Sequence, residues 1–559
     1  MLLGIDVGGT HTDAVLIHDK GIAAAFKVPT NHDNLMESID AVLDKVCADV
    51  DPASVERVNL STTLTTNAIV EGKTDPVAVL VAGGPGVDPA HFKLCPDFHV
   101  LSGSTDHRGN TVASLNKTEL NDAAQACAAK GIRAYAVVGK FSPRNPSLEQ
   151  SMADAVAPAA DVVTMGHELT GRLNFPRRIA TAYFNSAAWG MFDGFARAIS
   201  SSLKARGIEA KVNILKADGG TMPLSLARRH PVESILSGPA ASVMGIISMC
   251  DIALDSIILD IGGTTTDIAV FASGAPLMEM DGISIGSHPT LVRALLTQSI
   301  GVGGDSALSV LGDEIHVGPR RLGPSLAQGG EHPTLIDAFI YLGQSDMGDV
   351  QRSKEQFKAF ATQRSIRPET LAQRAVDRAV DIIVTASRQL VKTINSKPVY
   401  TIHELLEDAR IVPKKVYVMG GPAKVFKEPL FKAFKLTIAV PEHHGVANAV
   451  GAALTRTTHN VELFADTERL RMHIPSIGLS KTIERDYDLD EAVRDARTQL
   501  LNHLRQEGIP SREENTEITH ASSFNMIDGS HLAGRNIRVK CQIKPGILHR
   551  YKNLLGRLC

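Results

Sequence analysis

Three things are scarce in this chain: an excess of charge of either sign, clustered cysteine, and long uninterrupted apolar runs. Lys plus Arg number 58 against 61 Asp plus Glu, so there is no general electrostatic pull toward nucleic acid, and any basic docking surface has to be local. The six cysteines, Cys47, Cys95, Cys127, Cys250, Cys541 and Cys559, lie far apart with no CxxC pair. That spacing argues against a disulfide framework and against a thiolate-ligated zinc or iron–sulfur site, and reduced cytoplasmic thiols are expected. Apolar stretches such as 246 to 259 are broken by Asp251 and Asp255 short of the ~20 residues that span a bilayer, so no membrane association is expected. The opening stretch, Met1 to Val7, lacks a basic leader and runs into Asp6 and a glycine pair, which reads as a first strand and not as a signal peptide.

What is present is a 559-residue chain, 43% hydrophobic, long enough for three to four domains at ~150 residues each. An internal repeat organises it. Residues 4–17 read GIDVGGTHTDAVLI and residues 258–271 read ILDIGGTTTDIAVF, so Asp6, Gly8, Gly9, Thr10, Thr12 and Asp13 align with Asp260, Gly262, Gly263, Thr264, Thr266 and Asp267. In each copy an apolar run ends in Asp, Gly-Gly permits the positive φ of a tight turn, and a Thr-rich alternation starts a second strand. Glycine lets backbone N–H groups approach an anion, the hydroxyls of Thr10, Thr12, Thr264 and Thr265 add donors, and the leading Asp can hold hydrated Mg²⁺ or orient water. A single copy also reads as an ordinary hairpin turn. Two copies half a chain apart point instead to two similar α/β lobes, each offering one loop to the same nucleotide. Asp6 and Asp260 are the candidate metal ligands and catalytic carboxylates. Asp13 and Asp267 rank behind them, since pairing with hairpin backbone or Thr hydroxyls is at least as good an account of both.

Further glycine-bearing segments extend the pattern. In VYVMGGPAKVF, Gly420 and Gly421 follow a strand and Pro422 opens a helix, which suits close approach to an adenosine or ribose; a plain strand-to-helix turn is the alternative. The stretch GVGGDSAL places Gly303 and Gly304 ahead of Asp305 and Ser306, either as a third ligand contact or as a flexible loop. SGPAAS, with Ser237 as N-cap and Pro239 near the first turn, begins a small-residue helix suited to tight packing near a hinge. The histidines, including His443 and His444, show no convergent ligand set and read as structural.

The paired DxGGT hairpins resemble the phosphate loops of the actin, sugar-kinase and heat-shock-chaperone superfamily. The resemblance narrows to the hydantoinase A/5-oxoprolinase family through STTLTTNAIVEG (61–72), GHELTGRLNFPRR (166–178), LKADGGTMPL (215–224), HPVESILSGPAASVMG (230–245), IGVGGDSAL (300–308), VMGGPAKVF (418–426) and EHHGVANAVGAAL (442–454). It implies two ribonuclease-H-like lobes clamping ATP with Mg²⁺. The implied activity is phosphorylation of the carbonyl of an amide, lactam or hydantoin so that water opens the ring, often with a separate B subunit and in a homo-oligomer. Relatives of this kind also carboxylate ketones. A small-molecule kinase and an ATP-switched activator use the same loops and stay as alternatives. Gln298 and Ser299 stand where such proteins commonly carry an Asp-x-His-Thr element, which leaves substrate identity open.

The organisation expected is an N-terminal lobe over 1–160, a second lobe over 161–457 with a helical insert or lid at about 310–400, and a small α+β domain over 458–559. Strands are expected at 77–81, 135–138, 211–217, 256–261 and 415–419, and helices at 117–130, 177–204, 447–454 and 484–495, with strands again at 518–543 around an Asp528-Gly529 turn. The final 25 residues are basic, from Arg535 and Arg538 to Arg557, and read as a solvated hairpin or as an edge for an acidic partner.

Overall fold

The computed structural model describes residues 1–548 except 32, 280, 397–409, 510 and 529–530. Its two main sheets share one plan. In the first, strand β1 (Leu2–Val7), buried throughout, pairs antiparallel with β2 (His11–His18), which pairs antiparallel with β3 (Gly21–Pro29). On its other side β1 runs parallel to β4 (Arg57–Thr62), β4 runs parallel to β5 (Lys211–Leu215), and the edge strand β6 (Thr221–Pro223) closes the order β6-β5-β4-β1-β2-β3. In the second sheet β7 (Ser256–Ile261) pairs antiparallel with β8 (Thr266–Ala272) and parallel with β9 (Lys415–Met419), which is followed by β10 (Thr437–Ala439). An antiparallel meander continued by parallel strands, twice over, is the ribonuclease-H-like pair of lobes expected for an actin-like α/β protein.

Between β4 and β5 the chain builds a separate parallel sheet from Val77–Ala82, Phe98–Val100, Ala134–Gly139 and Val162–Met165, then returns through the long helix α1 (Phe175–Ala205). This detour corrects the expected boundary. The strand at 211–215, assigned from sequence to the second lobe, pairs with β4 from Arg57↔Lys211 to Leu60↔Ile214 and so belongs to the first. The stretch at 310–400 is the expected helical insert, with helices Leu335–Tyr341 and Val350–Thr362 and with Gln328, Ile336 and Met347 reaching the cleft. Helix α2 (Ser237–Met249) precedes it and α3 (Pro368–Asn395) lies within it; the α3 face bearing Leu371, Val376, Ile383 and Leu390 shares one core with Ile257, Leu259, Val416 and Val418. Its apolar stripe covers the second sheet.

The C-terminal unit is an antiparallel five-stranded sheet with the helix Leu489–Gln506 in its own core. That helix starts later than expected because Asp488 and Glu491 form a capping box, with the Glu491 amide donating to Asp488 at 2.8 Å and the Asp488 amide donating to Glu491 at 3.1 Å. Gly529 of the expected turn, and Arg550, Lys552 and Arg557 of the basic tail, lie outside the described residues. Cys47, Cys95, Cys127 and Cys541 are free, whereas Cys250 is disulfide-bonded, a departure from the all-thiol expectation. Among the described residues no helix is long and apolar enough to cross a membrane.

Two helices join the lobes. α2 and α5 (Ala447–Leu454), the latter following α4 (Ala423–Phe434), share a core with Leu2 and Val15 of the first sheet and Ile258 and Tyr417 of the second. Their approach leaves no room for side chains. A Cβ on Gly245 would lie 2.4 Å from the Ala447 carbonyl oxygen, one on Gly451 2.3 Å from that of Ala241, and one on Gly4 of β1 2.1 Å from that of Ala449. Ser237 is not the N-cap of α2, since its hydroxyl donates instead to the Thr62 carbonyl at 2.8 Å and ties the helix to β4.

Because backbone atoms cannot give way as a side chain can, Gly451→Ala is expected to cost about 1–3 kcal/mol of stability. Gly194→Ala, on α1 with open space around it, is expected to be neutral or stabilising by up to about 1 kcal/mol. Urea-denaturation midpoints of the two variants check this; equal midpoints would show that the helix crossing is looser than described.

Candidate functional site

The two repeat hairpins adopt one geometry. In the first, Asp6 stands opposite Asp13 and the Gly8 amide donates to the His11 carbonyl at 3.1 Å; in the second, Asp260 stands opposite Asp267 and the Gly262 amide donates to the Thr265 carbonyl at 2.9 Å. One expectation for the glycines fails: none of Gly8, Gly9, Gly262 and Gly263 has positive φ. Gly263 is needed for closeness, since a Cβ there would lie 2.7 Å from Thr10 Cγ2, whereas one on Gly9 would make ordinary contact with Thr264 Oγ1 at 3.9 Å. The tips therefore meet across the gap between the lobes.

Both tips open into one cleft of about 630 Å³. Asp6, Gly8, Gly9, Thr10, Asp260, Gly262, Gly263, Thr264, Thr265, Gly304, Gly420 and Gly421 line it, which brings together most of the residues singled out from sequence. Two do not reach it. Thr12 is fully buried, with its hydroxyl engaged by Thr30 at 3.0 Å. Gly303 lies behind the second tip, where a Cβ would meet the Gly262 and Gly263 backbone at 2.6 Å. The GVGGDSAL segment supports the second tip, the amides of Gly304 and Asp305 donating to the Gly262 and Gly263 carbonyls at 2.9 and 2.7 Å, while Gly304 and Asp305 also line the cleft.

Gly420 does have positive φ, at 94°, and a Cβ there would sit 2.1 Å from the Ile261 carbonyl oxygen. Its amide donates to the His444 carbonyl at 2.9 Å, and His444 Nδ1 lies 2.8 Å from the Gly420 carbonyl, so this histidine holds the loop as a structural residue.

Several cleft residues escaped the sequence reading. Ser242 of α2 donates to Asp260 Oδ2 at 2.6 Å, and Asn448 of α5 donates to the same oxygen at 3.1 Å, so both interlobe helices orient this carboxylate. Both lie inside blocks already noted, HPVESILSGPAASVMG and EHHGVANAVGAAL, which was the available signal. Lys27 had none. It is placed by strand register, opposite Asp13, and forms an ion pair with it at 2.7 Å. Ser299, at the position of the departed Asp-x-His-Thr element, donates to Asp267.

The electrostatics of the cleft are those of crowded acids. Burial, reinforced by the charges of Asp13 and Asp260, pushes the Asp6 carboxyl up to about 7, with Ser61 and Asn448 pulling the other way. Burial and the Asp260 charge also push Asp267 up to about 7, against Ser299. Asp13 is raised by burial and partly offset by Lys27. The buried Asn448 Oδ1 has no hydrogen-bond partner among the described residues. Carboxylates that resist ionising together, an orphaned amide oxygen and side-chain-free tips form a donor set that fits a hard divalent cation with a polyphosphate.

Comparison with known proteins identifies the family and the fold. The hydantoinase/oxoprolinase family model matches residues 178–461, and the model of the hydantoinase/oxoprolinase N-terminal region matches residues 2–158. The caprolactamase alpha subunit of Pseudomonas jessenii is 27% identical over 380 residues, covering 61% of this chain and 54% of that protein. The acetophenone carboxylase gamma subunit of Aromatoleum aromaticum is 24% identical over 391 residues, covering 61% and 53%. The matched region thus spans about half the length of these relatives. In fold, the chain is similar to nucleotide-free acetone carboxylase, with a TM-score of 0.72 at 16% identity over 99% of this chain and 88% of that one. It is similar also to the ATP-dependent caprolactamase of Pseudomonas jessenii, with a TM-score of 0.68 at 18% identity over 97% and 87%. With family models covering nearly all of the first 461 residues, the chain belongs to the hydantoinase/oxoprolinase family.

Proposed function

We propose that this chain is an ATP-dependent enzyme that phosphorylates the carbonyl oxygen of a small amide, lactam or hydantoin, making the carbonyl carbon open to attack by water. The observation that carries the reading is the meeting of two DxGGT tips, one from each lobe, over a common cleft with Asp6 and Asp260 at its floor. Relatives named as a caprolactamase subunit and as 5-oxoprolinases support the amide and lactam class. Relatives named as subunits support a B-type partner subunit, and a homo-oligomer belongs to the same reading.

In this reading the amides of Gly9 and Thr10 and those of Gly263 and Thr264 bind the phosphates from opposite sides, the Gly8 and Gly262 amides being held within their own hairpins, and the Gly420–Gly421 turn accepts the nucleoside. Phosphoryl transfer asks mainly for positioning and charge stabilisation, which fixed N–H groups in a shielded cleft supply. Asp6 and Asp260 would hold Mg²⁺, which would offset phosphate charge. Asp260, oriented by Ser242 and Asn448, is the better placed to steer the acceptor or take its proton. Lys27 pairs with Asp13 and thereby limits the acidic surplus of the cleft.

ATP hydrolysis assayed against a panel of lactams, hydantoins and 5-oxoproline, with and without a candidate B-type subunit, tests the reaction. Stimulation by one ring compound with ring-opened product is expected; a stable phosphorylated product without ring opening would make the chain a kinase. Asp260→Asn is expected to lower the stimulated rate by about 100-fold or more, and a near-normal rate would remove Asp260 from the chemistry.

The raised carboxyl of Asp6 sets a pH dependence. A carboxyl held near 7 in the fold and near ~4 in the unfolded chain contributes its full stability below about pH 4 and loses it as pH rises toward 7. A bound divalent cation reverses that loss by favouring the ionised form. Mg²⁺ with ATP is therefore expected to raise the melting temperature more above about pH 7 than below about pH 6. Equal shifts on both sides would contradict a cation at Asp6.

A further inference from the structure

A second, small cavity of about 50 Å³ lies apart from the cleft, where the first lobe meets the C-terminal unit. Three sequence blocks that the nucleotide site leaves largely unused converge on it: Leu169, Thr170 and Arg172 from 166–178, Lys216 and Asp218 from 215–224, and Val232 and Glu233 from 230–245. Only Gly238 and Pro239 of these blocks reach the cleft. The C-terminal unit contributes Asn460 and Lys540, and Arg293 completes the charged wall.

The charges do not cancel. Lys216, 4% exposed, is taken by Asp218 at 3.2 Å and Glu233 at 3.5 Å, and Arg172 pairs with Asp281 at 3.0 Å. That leaves Arg293, which shares the charge of Asp218, and Lys540, which feels that of Glu462, each without a carboxylate in direct contact. Arg293 donates to the neutral Gln542 side chain, and its Nε is buried with no partner among the described residues. The Lys540 ammonium makes no hydrogen bond or ion pair with a described residue, while the Lys540 backbone lies between Glu462 and His520 in the sheet. Burial, then the charge of Arg293, pushes its ammonium down to about 8, with Arg172 and Arg538 acting the same way and Glu462 against. Two cations with no carboxylate in direct contact, in so confined a space, are costly unless an anion joins them.

We propose that this cavity is a binding site for a small oxyanion, a carboxylate or bicarbonate, held by Lys540 and Arg293 with Lys216 and Arg172 behind them. The volume fits a group of a few heavy atoms and excludes a nucleotide. Continuing the register of β5 and β1 on β4 sets Lys216 level with Thr62 and Val7, and because side chains alternate along a strand this is the sheet face opposite the one that carries Asp6 into the cleft. The cavity is therefore separate from the nucleotide cleft, and the anion is either a carboxylate of a small molecule or free bicarbonate. The anion site does not rest on the function proposed above.

The test uses the full chain and ¹³C-labelled acetate and bicarbonate, with binding read from line broadening and affinity for a non-hydrolysable ATP analogue measured in parallel. Saturable binding is expected. Lys540→Met and Arg293→Gln should each weaken it about tenfold or more, the size of one lost charge-assisted hydrogen bond, while Lys540→Arg stays within a few-fold of the parent. Nucleotide affinity should be unchanged in all three. Binding of acetate as well as bicarbonate assigns the site to a small-molecule carboxylate, and binding of bicarbonate alone assigns it to the free ion. Should the Met and Gln variants fail to fold, protection of Lys540 by acetate against trinitrobenzenesulfonate in the parent chain, mapped by mass spectrometry, decides the point. No saturable binding of either anion, binding indifferent to the substitutions, or no protection overturns the proposal. Loss of nucleotide binding with anion binding intact would overturn the catalytic reading and leave the site standing.

Discussion

Two acidic hairpin tips that meet where Gly263 leaves room for Thr10 are the constraint on which this molecule turns. Gly263 and Thr10 meet where a Cβ would be 2.7 Å from its neighbour, and behind them Gly245, Gly451 and Gly4 let two helices and a strand approach backbone to backbone. The second contact makes the first possible. α2 and α5 carry the small residues that let the lobes seat against each other, and the same helices send Ser242 and Asn448 to a single oxygen of Asp260. Packing and site chemistry therefore share residues: a change that loosens the helix crossing also frees the carboxylate that the crossing orients.

The electrostatics follow from that closeness. Asp6, Asp13 and Asp267 all sit where burial disfavours their charged forms, and Lys27 answers only Asp13. Such a cleft is poor at holding its own charge and well suited to gaining cations. Phosphates are left to backbone N–H groups at the glycine tips, which bind anions without bringing in a positive side chain. Some of the cost in stability is expected to return when cation and nucleotide bind together.

Much of this was legible in the sequence because the chemistry is local. The repeated DxGGT, the Gly420–Gly421 turn and most strands lie within short segments whose residue types dictate their geometry. What was not legible depends on long-range pairing. Strand β5 joins a sheet whose neighbouring strand lies some 150 positions earlier, with a whole subdomain between, so sequence order placed it in the wrong lobe. Lys27 matters through register alone. The α3 stripe showed that a face would be buried, not what would bury it. Of the two reasons for the tip glycines, positive φ does not hold at any of the four, and Gly263 is required instead by its contact with Thr10. Thr12 and Gly303 were included by proximity in sequence to groups that line the cleft, although the fold turns one inward and sets the other behind.

The account stands or falls on whether both tips grip one triphosphate. A crystal structure of the chain with Mg²⁺ and a non-hydrolysable ATP analogue measures this directly. The expected result places amides of both Gly9–Thr10 and Gly263–Thr264 within hydrogen-bond distance of the phosphates, with the cation between Asp6 and Asp260. A nucleotide held by one tip alone, or seated outside the interlobe cleft, would contradict it.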